Sequence, residues 1–534
     1  MSAQKERNYL KGAAILAAAA IAAKIIGAIF KIPLYNLLGD EGTTHFSKAY
    51  VVYTLLLTLS YSGIPVALSR LVSASVETGN TRQTAKYFKV ALPVFALIGA
   101  LASVVMFVFA PQLAAFVEAP LATLGIRLLS PAVFLCCVIA VFEGWSQGHG
   151  DMVPTAVKQL VEVSCKLLFG FSIAWVLLQR GQPPEVASAG AIVGVVIGLV
   201  LALPVIMYVK SRRLPQGAPV GTAQNTMSTL SSILRVSAPI ALGASFMNII
   251  TLLDSKVVTM RLMEGVGLSY AAADAQYGIY TKSLTLFTLM PALLSSITVS
   301  AIPAISAFVA TKRYKDARAT TESAIKMICL IAMPAAIGIA VLAKPIYGAL
   351  FGSYAGVPLL RILGIASFFA CAQLITTAIL QANGRERVPI ISFLIGGIVQ
   401  IVCDWILVGI PSIGIVGSPI GTLACYATIT LINLAVIFAK VSHPPRILRS
   451  AGKPALAAVI MGVVAFSVNV LTQRFLVDSL GTGRFANIVY TAIAVAVGVV
   501  VYFVVIVLLR TLTREDLRLL PKGEKLAKLF RVRD

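Results

Sequence analysis

The sequence predicts an all-α membrane protein with about fourteen transmembrane helices: two six-helix lobes related by a pseudo-two-fold repeat, followed by two extra C-terminal helices. Three observations lead to this fold class. Of the 534 residues, 58% are hydrophobic and 12% are charged. The mean hydropathy of +0.91 is that of a polytopic membrane protein, not of a water-soluble domain. Long apolar runs recur along the chain, and patterns of its first half return in its second half.

The first apolar run, from Lys11 to Gly39, is long enough to cross a bilayer but contains Lys24 and Lys31. Because about 20 residues span the roughly 30 Å hydrocarbon layer, both lysines lie inside the span. They are almost two helical turns apart, so they share one face, with Gly27 between them. A central lysine costs roughly 2.5 to 3.5 kcal/mol on insertion scales. We therefore expect these lysines to line a watery cavity; pairing with an acid or snorkelling to a headgroup are the alternatives.

The chain contains about fourteen such runs, centred near residues 24, 60, 100, 133, 166, 198, 248, 292, 338, 370, 399, 427, 466 and 497. Lysine and arginine concentrate in the connections on one side, for example Lys210 to Arg213 and Lys312 to Arg318. This asymmetry predicts that both termini lie in the cytoplasm, which requires an even number of spans. It also accounts for the net charge of +23, so nucleic acid is not an expected partner.

Three sequence patterns repeat at nearly one offset. Ser62–Ser69 (SGIPVALS) is answered by Ser300–Ser306 (SAIPAIS), and KVALPVFALIG, beginning at Lys89, is answered by CLIAMPAAIG, beginning at Cys329. The run from Gln147 to Pro154 is likewise answered by Gln381 to Pro389. Six spans per repeat put both halves in the membrane in the same orientation, as in transporters that rock one lobe against the other. A duplication that only enlarges a helical bundle is the alternative.

The repeat and the apolar runs divide the chain into five predicted segments. These are an N-lobe over 1–209, a flexible basic linker over 210–235, a C-lobe over 236–440, two added spans over 441–510, and a basic tail over 511–534. The tail alternates leucine with lysine and arginine, which predicts an amphipathic helix on anionic membrane lipids. A solvated basic tail is the alternative.

Charges inside the predicted spans indicate where a ligand binds. The first, second, seventh and eighth spans contain five lysines and one acid: Lys24, Lys31, Lys48, Lys256, Lys282 and Asp254. If these spans line a central cleft, it is cationic and its ligand is anionic. We expect Lys24, Lys31, Lys256 and Lys282 to form the binding site, whereas Lys48, near the external surface, is either part of it or solvated.

Other buried charges suggest different roles. Glu162 and Lys166 have the i, i+4 order that favours an intrahelical ion pair. Asp254, Gln400, Asp404 and Thr422 present oxygen atoms that would hold a sodium ion or a proton, although Asp404 would equally neutralise a lysine.

No catalytic constellation is evident, because no metalloprotease, serine-hydrolase or Walker motif occurs. The three histidines lie far apart, in predicted loops. His45 ends a short external turn predicted from Gly39 to His45. The protein is therefore not expected to be an enzyme. It is expected to have no cofactor beyond a coupling Na⁺ or H⁺. The seven cysteines are predicted to be core residues.

Five motifs carry a resemblance to a known family: LKGAAIL at Leu10, GIPVALSRLV at Gly63, GWSQG at Gly144, MVPTA at Met152 and QLVE at Gln159. Together they resemble the stage V sporulation protein B group of polysaccharide biosynthesis proteins. That group belongs to the multidrug/oligosaccharidyl-lipid/polysaccharide exporter superfamily, which includes the lipid II flippases. The similarity runs through the whole chain.

The resemblance implies a monomeric flippase of the bacterial cytoplasmic membrane that turns an undecaprenyl-diphosphate-linked saccharide to the external leaflet. Lys24, Lys31 and Lys282 match basic positions that are arginine in the lipid II flippases, where the first-helix pair faces the cleft. A lysine lacks the bidentate fork of arginine, so affinity or ligand choice is expected to differ. A basic pair that those relatives carry in the second helix is not found here. The last two helices are implied to hold the polyprenyl tail.

The mechanism expected from the residues is alternating access. The cationic cleft would hold the diphosphate while the lipid tail stays in the bilayer, and helix breaks at Pro65 and Pro303 would act as hinges. A multidrug exporter of the same superfamily is one alternative, but it would need an acid-rich cleft. A glycan ligase is a second alternative, but it would need carboxylates or a large external loop, and the external loops here are short. A non-transporting scaffold in cell-wall assembly is a third.

Overall fold

The computed structural model describes residues 3–211, 220–481, 483–509 and 511, and these are helical apart from short connections, with no β-strand among them. Twelve helices of this described part are long and apolar enough to cross a membrane. The prediction of an all-α, multi-pass membrane protein is therefore confirmed. The number fourteen stays a prediction. One of the twelve candidates, Ala18–Glu77, has 60 residues, about 90 Å of helix at 1.5 Å per residue, which is about three times the thickness of the hydrocarbon layer.

Contacts divide the chain into two compact units, Met1–Thr281 and Lys282–Asp534. The helices of the first unit are α1 (Ala3–Tyr61), α2 (Gly63–Glu77), α3 (Thr81–Val108), α4 (Ala110–Phe116), α5 (Thr123–Gly148), α6 (Val153–Cys165), α7 (Phe171–Gln179), α8 (Pro184–Ser211) and α9 (Thr226–Glu264). Helix α10 (Tyr270–Ala310) begins in this unit and continues into the second. The five segments predicted from the repeat remain a prediction.

The helices of the second unit are α11 (Tyr314–Val341), α12 (Ala343–Phe351), α13 (Val357–Ala382), α14 (Arg387–Cys403), α15 (Gly417–Lys440), α16 (Ile447–Leu480) and α17 (Arg484–Leu508). Within each unit the helices follow the same order and pack in the same pairs. Helix α5 packs on α3 and α8, and α13 packs on α11 and α15 in the same way. Helices α16 and α17 pack on each other, and α16 also packs on α11.

A π-helical turn interrupts one span in each unit. Lys166–Gly170 separates α6 from α7, and Asp404–Val408 follows α14. The two turns begin 238 residues apart (404 minus 166), which matches the offset between the repeated sequence patterns. Each follows a cysteine, and each packs against a glycine of the next span: Gly194 lies against Gly170, and Gly417 lies against Val408. The structural units thus share a local irregularity as well as a helix order.

Helix α1 consists of two helices joined at Gly39, where φ is 72° and ψ is −169°. A side chain is strained at this positive φ, so glycine is required there. The sequence suggested an external turn from Gly39 to His45, but this expectation is wrong, because helical structure resumes immediately after Gly39. His45 is consequently a buried helical residue, not a loop residue.

The predicted linker is only partly irregular. Residues 212–219 lie outside the described part, as do residues 512–534, so the predicted amphipathic tail is not described. Beyond the gap, Val220 N donates to Thr81 Oγ1 at 2.8 Å, and Gln224 N donates to Gln83 Oε1 at 2.7 Å. Residues 226–235 were expected to belong to the linker but are the first turns of α9. The linker prediction is therefore wrong for these ten residues.

The two prolines predicted to break helices behave differently. Helix α1 ends at Tyr61 and α2 begins at Gly63, so the helix is interrupted just before Pro65. Proline has no N–H to donate, which deprives the carbonyl of Tyr61 of its usual helical partner. Pro303 lies inside α10, which continues to Ala310 without interruption. The expected break at Pro303 is therefore wrong, and the hinge role of both prolines stays a prediction.

Candidate functional site

The first unit contains a cavity of about 220 Å³ whose lining includes polar side chains. Three stretches of helix surround it: α1 before Gly39, α1 after Gly39, and the middle of α9. Its lining residues are Lys31, Tyr35, Phe46, Ser47, Tyr50, Val51, Thr54, Asn248 and Thr251. One cation, several hydroxyl groups, one amide and three aromatic rings therefore face the same small space.

Helical spacing explains why these α1 residues share the cavity. Lys31 and Tyr35 are four residues apart on one side of Gly39, and Tyr50 and Thr54 are four residues apart on the other. The kink at Gly39 reverses the chain so that both faces meet. Tyr35 and Phe46 make an edge-to-face ring contact across it, with ring centroids 6.1 Å apart.

A hydrogen bond fixes α9 beside α1 at the edge of this cavity. Asn248 Nδ2 donates to Thr58 Oγ1 at 3.0 Å. Asn248 and Thr251 lie on the same side of α9, and the Thr251 hydroxyl donates to the Met247 carbonyl at 2.9 Å. Neither residue belongs to a recognisable sequence pattern, because the role of each depends on which helix α9 packs against.

The structure places the two lysines of the first apolar run differently. Lys31 is half-buried and lines the cavity, in line with the expectation for that residue. Lys24 is exposed on the same helix, two turns earlier, and is not among the lining residues. A Cβ on Gly27, between them, would meet no described atom within 4 Å. Gly27 therefore packs against no described part of the chain.

Lys166 approaches the cavity from behind Tyr50. Its Nζ donates to Tyr50 Oη at 2.5 Å and lies 4.4 Å from the centre of the Tyr50 ring. It also lies 5.6 Å from the centre of the Phe30 ring. Because Tyr50 lines the cavity, Lys166 touches the wall of the site through this tyrosine. Neither Lys166 nor Tyr50 was expected from the sequence to be functional.

The predicted Glu162–Lys166 ion pair is wrong. Glu162 Oε2 instead binds Lys158 Nζ at 2.8 Å, one turn earlier. Lys158 Nζ also lies 3.8 Å from Glu143 Oε1, and Tyr61 Oη donates to Glu143 Oε2 at 2.6 Å. Glu143 is almost completely buried on α5 and requires a cation, so Lys158 lies between two carboxylates.

A second buried ion pair joins α1 to the start of α10. Lys48 is completely buried, and its Nζ lies 3.5 Å from Asp274 Oδ1 and donates to the Glu118 carbonyl at 2.9 Å. His45 Nδ1 lies 3.4 Å from Asp274 Oδ2. Lys48 also lies 5.1 Å from the centre of the Tyr277 ring. Of the two roles considered for Lys48, solvation is wrong, because the residue forms a buried pair.

The remaining predicted cations lie elsewhere. Lys256 Nζ is 4.3 Å from the centre of the Phe116 ring on α4, and Lys256 does not line the cavity. Lys282 is buried in the second unit, with its Nζ 5.9 Å from the centre of the Phe351 ring. Their membership of one binding site with Lys24 and Lys31 stays a prediction.

The residues of the predicted ion site divide between the units. Asp254 is buried on α9 of the first unit, whereas Gln400, Asp404 and Thr422 belong to the second. There, Asp404 is completely buried at the start of the π-turn, and a Cβ on Gly421 would collide with its Oδ1. Thr422 follows directly on the same helix. Among the described residues, no group of three or more histidine, cysteine or acidic side chains is placed to hold a metal.

Comparisons with known proteins agree with the fold and with the family that the sequence resembles. A family model described as polysaccharide biosynthesis protein matches residues 9–309, more than half of the chain. Three relatives come from Bacillus subtilis (strain 168). The uncharacterized membrane protein YabM is 27% identical and covers 99% of this chain and 98% of its own length. Stage V sporulation protein B is 23% identical, with 97% and 98% coverage, and lipid II flippase MurJ is 23% identical, with 93% and 94% coverage.

Two solved structures share the fold. The inward closed conformation of lipid II flippase MurJ matches with a TM-score of 0.68 at 15% identity, covering 92% of this chain and 97% of that one. An inward-facing multidrug resistance MATE family transporter of the MOP superfamily matches with a TM-score of 0.62 at 16% identity, covering 78% and 92%. At these identities the structures establish the architecture alone.

Proposed function

Because the chain belongs to the polysaccharide biosynthesis protein family, we propose that it is a flippase for an undecaprenyl-diphosphate-linked saccharide. In coarser terms, it is a multi-pass membrane flippase or transporter of the MOP superfamily. The proposal adds the substrate class, which is lipid II or a polysaccharide precursor. It also adds the direction, from the cytoplasmic to the external leaflet of a bacterial membrane, with both termini in the cytoplasm.

The observation that carries this proposal is the cavity beside Lys31. Its wall combines the Lys31 ammonium group with the Ser47 and Tyr50 hydroxyls and the Asn248 amide. The Thr54 and Thr251 hydroxyls donate to the backbone carbonyls of Tyr50 and Met247. Ammonium groups and hydroxyl donors suit phosphate oxygens, and aromatic rings with polar edges suit sugars. The cavity is only about 220 Å³, too small for a polyprenyl chain. It suits part of a headgroup while the tail stays in lipid.

The energetic reason for such a site is the cost of moving charge through hydrocarbon. An isolated charged group in a medium of low dielectric constant costs tens of kcal/mol, so a diphosphate crosses a bare bilayer extremely slowly. A wet cationic site replaces the lost hydration. In the proposed mechanism, Lys24, Lys31, Lys256 and Lys282 attract the diphosphate, Pro65 and Pro303 allow helices to bend, and the lobes expose the site alternately to each side.

The driving force is proposed to be an ion gradient or the membrane potential, since the sequence has no Walker motif. Two negative charges moved across the membrane are worth about 4.6 kcal/mol per 100 mV. Asp404, with Gln400, Thr422 and Asp254, is the proposed site for a coupling sodium ion or proton. Carboxylate, amide and hydroxyl oxygens are suitable ligands for such an ion.

Leaflet accessibility tests the function. Cells depleted of other flippases would express the wild type, Lys24→Ala, Lys31→Ala or the control Lys344→Ala at matched levels. Lys344 is an exposed lysine of the second unit beside the Tyr354 ring. We expect the wild type and the control to restore external exposure of lipid II or of a lipid-linked polysaccharide precursor. Lys31→Ala should lower that exposure at least tenfold.

The experiment also separates the rival functions. A non-transporting scaffold would leave both lipids on the cytoplasmic side even with the wild type. If the wild type flips a lipid and both lysine variants flip it equally well, the cationic site is not the binding site. The multidrug exporter alternative is favoured by the MATE-like fold, and it predicts export of cationic drugs without any effect on either lipid.

A further inference from the structure

We infer that Lys166 is a specificity-determining residue of the cavity, acting through the Tyr50 hydroxyl to select a diphosphate linkage over a monophosphate linkage. This inference rests on the proposed function and deepens it. Lys166 positions and polarises a donor rather than reaching the cavity itself. Three features of the structure support the assignment: the hydrogen bond, the lack of a contacting carboxylate within the described residues, and the position of the lysine in a π-turn.

The direction of the hydrogen bond determines what Tyr50 offers to a ligand. An ammonium group has only donors, so the Tyr50 oxygen must accept the hydrogen bond from Lys166 Nζ. The hydroxyl hydrogen of Tyr50 then remains available, and no described hydrogen bond uses it. Because Tyr50 lines the cavity, this O–H is placed to donate to a ligand oxygen. A neighbouring cation withdraws electron density and makes it a stronger donor.

The carboxylate that would neutralise Lys166 is engaged elsewhere. Glu162 binds Lys158 at 2.8 Å, and none of the described ion pairs within 4 Å includes Lys166. Lys166 instead rests on the Tyr50 and Phe30 rings. An intramembrane basic residue without a contacting carboxylate marks a functional site by default. Lys31 lines the cavity and Lys166 touches its wall through Tyr50, so two basic side chains adjoin one cavity.

Lys166 is the first residue of the π-turn. Its Nζ contacts Tyr50 of α1, whereas Lys158, two helical turns earlier, contacts Glu162 and Glu143. A π-helical turn holds one more residue than an α-helical turn, so it makes the helix irregular directly beside the Tyr50 wall of the cavity. Such turns frequently occur at functional sites.

Two cations around one cavity match the charge of a diphosphate linkage better than that of a monophosphate linkage. A diphosphate joined to a lipid and a sugar carries two negative charges, and a monophosphate joined to both carries one. A bound diphosphate dianion contacts Lys31 on one side and the Tyr50 hydroxyl, which is bonded to Lys166, on the other. A monophosphate has one negative charge, which Lys31 alone neutralises. Removing Lys166 should therefore weaken the first ligand much more than the second.

Binding to the purified full-length protein in detergent tests this inference. The probes are geranylgeranyl-diphosphate-N-acetylglucosamine and geranylgeranyl-monophosphate-N-acetylglucosamine. We expect the wild type to bind the diphosphate about tenfold more tightly, and Lys166→Met to weaken diphosphate binding about tenfold and monophosphate binding less than twofold. Lys166→Arg should preserve the preference, and Lys344→Met should behave as the wild type.

A second variant tests the route through tyrosine. Tyr50→Phe removes the donor but keeps the ring, so Lys166→Met should cause at most a twofold further loss in that background. Equal weakening of both probes by Lys166→Met, no weakening, or fully additive losses with Tyr50→Phe would overturn the inference. If the wild type binds the diphosphate and the variants bind it with the same affinity, only the inference about Lys166 fails. If the wild type binds neither probe, the proposed function fails as well.

Discussion

Breaking the buried Lys48–Asp274 pair should destabilise the first unit. Lys48→Met removes the cation and leaves Asp274, which is 1% exposed, without its charge partner. At the 3.5 Å separation of Nζ and Oδ1, two charges interact by about 5 kcal/mol at an effective dielectric constant of about 20. Breaking a buried pair typically costs about 3 to 5 kcal/mol. We therefore expect a loss of about 4 kcal/mol in the free energy of unfolding.

The corresponding shift in melting temperature follows from the size of the unit. At about 2.1 cal/mol/K per residue, the 281 residues of the first unit unfold with an entropy of about 0.6 kcal/mol/K. A loss of about 4 kcal/mol then lowers its melting temperature by about 7 °C. The double variant Lys48→Met/Asp274→Asn leaves no buried charge at the pair, so it should recover most of this loss.

The native cysteines provide the assay. Cys136 and Cys137 are buried in the first unit, and Cys329, Cys371 and Cys425 are buried in the second. A dye that fluoresces on reaction with thiols reports their exposure during heating in detergent. Variants that keep cysteines in only one unit assign each transition. Lys48→Met should lower the first-unit transition and leave the second within about 1 °C. The reasoning is refuted if the double variant is no more stable than Lys48→Met.

Two further predictions concern packing in the first unit. Gly278→Ala should destabilise it by about 2 kcal/mol or more, because the added Cβ would collide with the Asp40 carbonyl. The control is Gly243→Ala, where a Cβ meets no described atom within 4 Å. Equal melting temperatures for the two variants would contradict the prediction. Lys158→Met should lower the free energy of unfolding by about 3 to 5 kcal/mol, because Glu143 is then left buried without a cation. Lys166→Met should lower it clearly less in the same thermal assay. A larger loss for Lys166→Met than for Lys158→Met would instead support the Glu162–Lys166 ion pair predicted from the sequence.

Much of the architecture could be predicted because hydrophobic length and the positive-inside rule act on every span separately. The special position of Lys31 was also predictable, since a lysine inside an apolar run needs water or an anion. The pairing of Glu162 with Lys158 could not be predicted, because Lys158 and Lys166 both lie four residues from Glu162. The choice depends on Glu143, which lies on a different helix and also contacts Lys158.

The same reasoning explains the other misses. Asp274 and Lys48 are 226 residues apart, so their pairing follows from tertiary packing. The turn expected at Gly39–His45 was too long, because Gly, Asp and Thr favour turns in general, whereas here one glycine at positive φ accomplishes the reversal. Pro303 was expected to break its helix, yet packing holds α10 continuous there.

The two π-turns also carry information about the history of the chain. Such a turn contains one residue more than regular helix, and both halves contain it at matching places, 238 residues apart. The simplest origin is a single ancestral half that already carried the extra residue before its gene was duplicated. The first residue of the turn then diverged, to lysine at 166 and to aspartate at 404. One inherited irregularity thus became a positive group in one half and a negative group in the other.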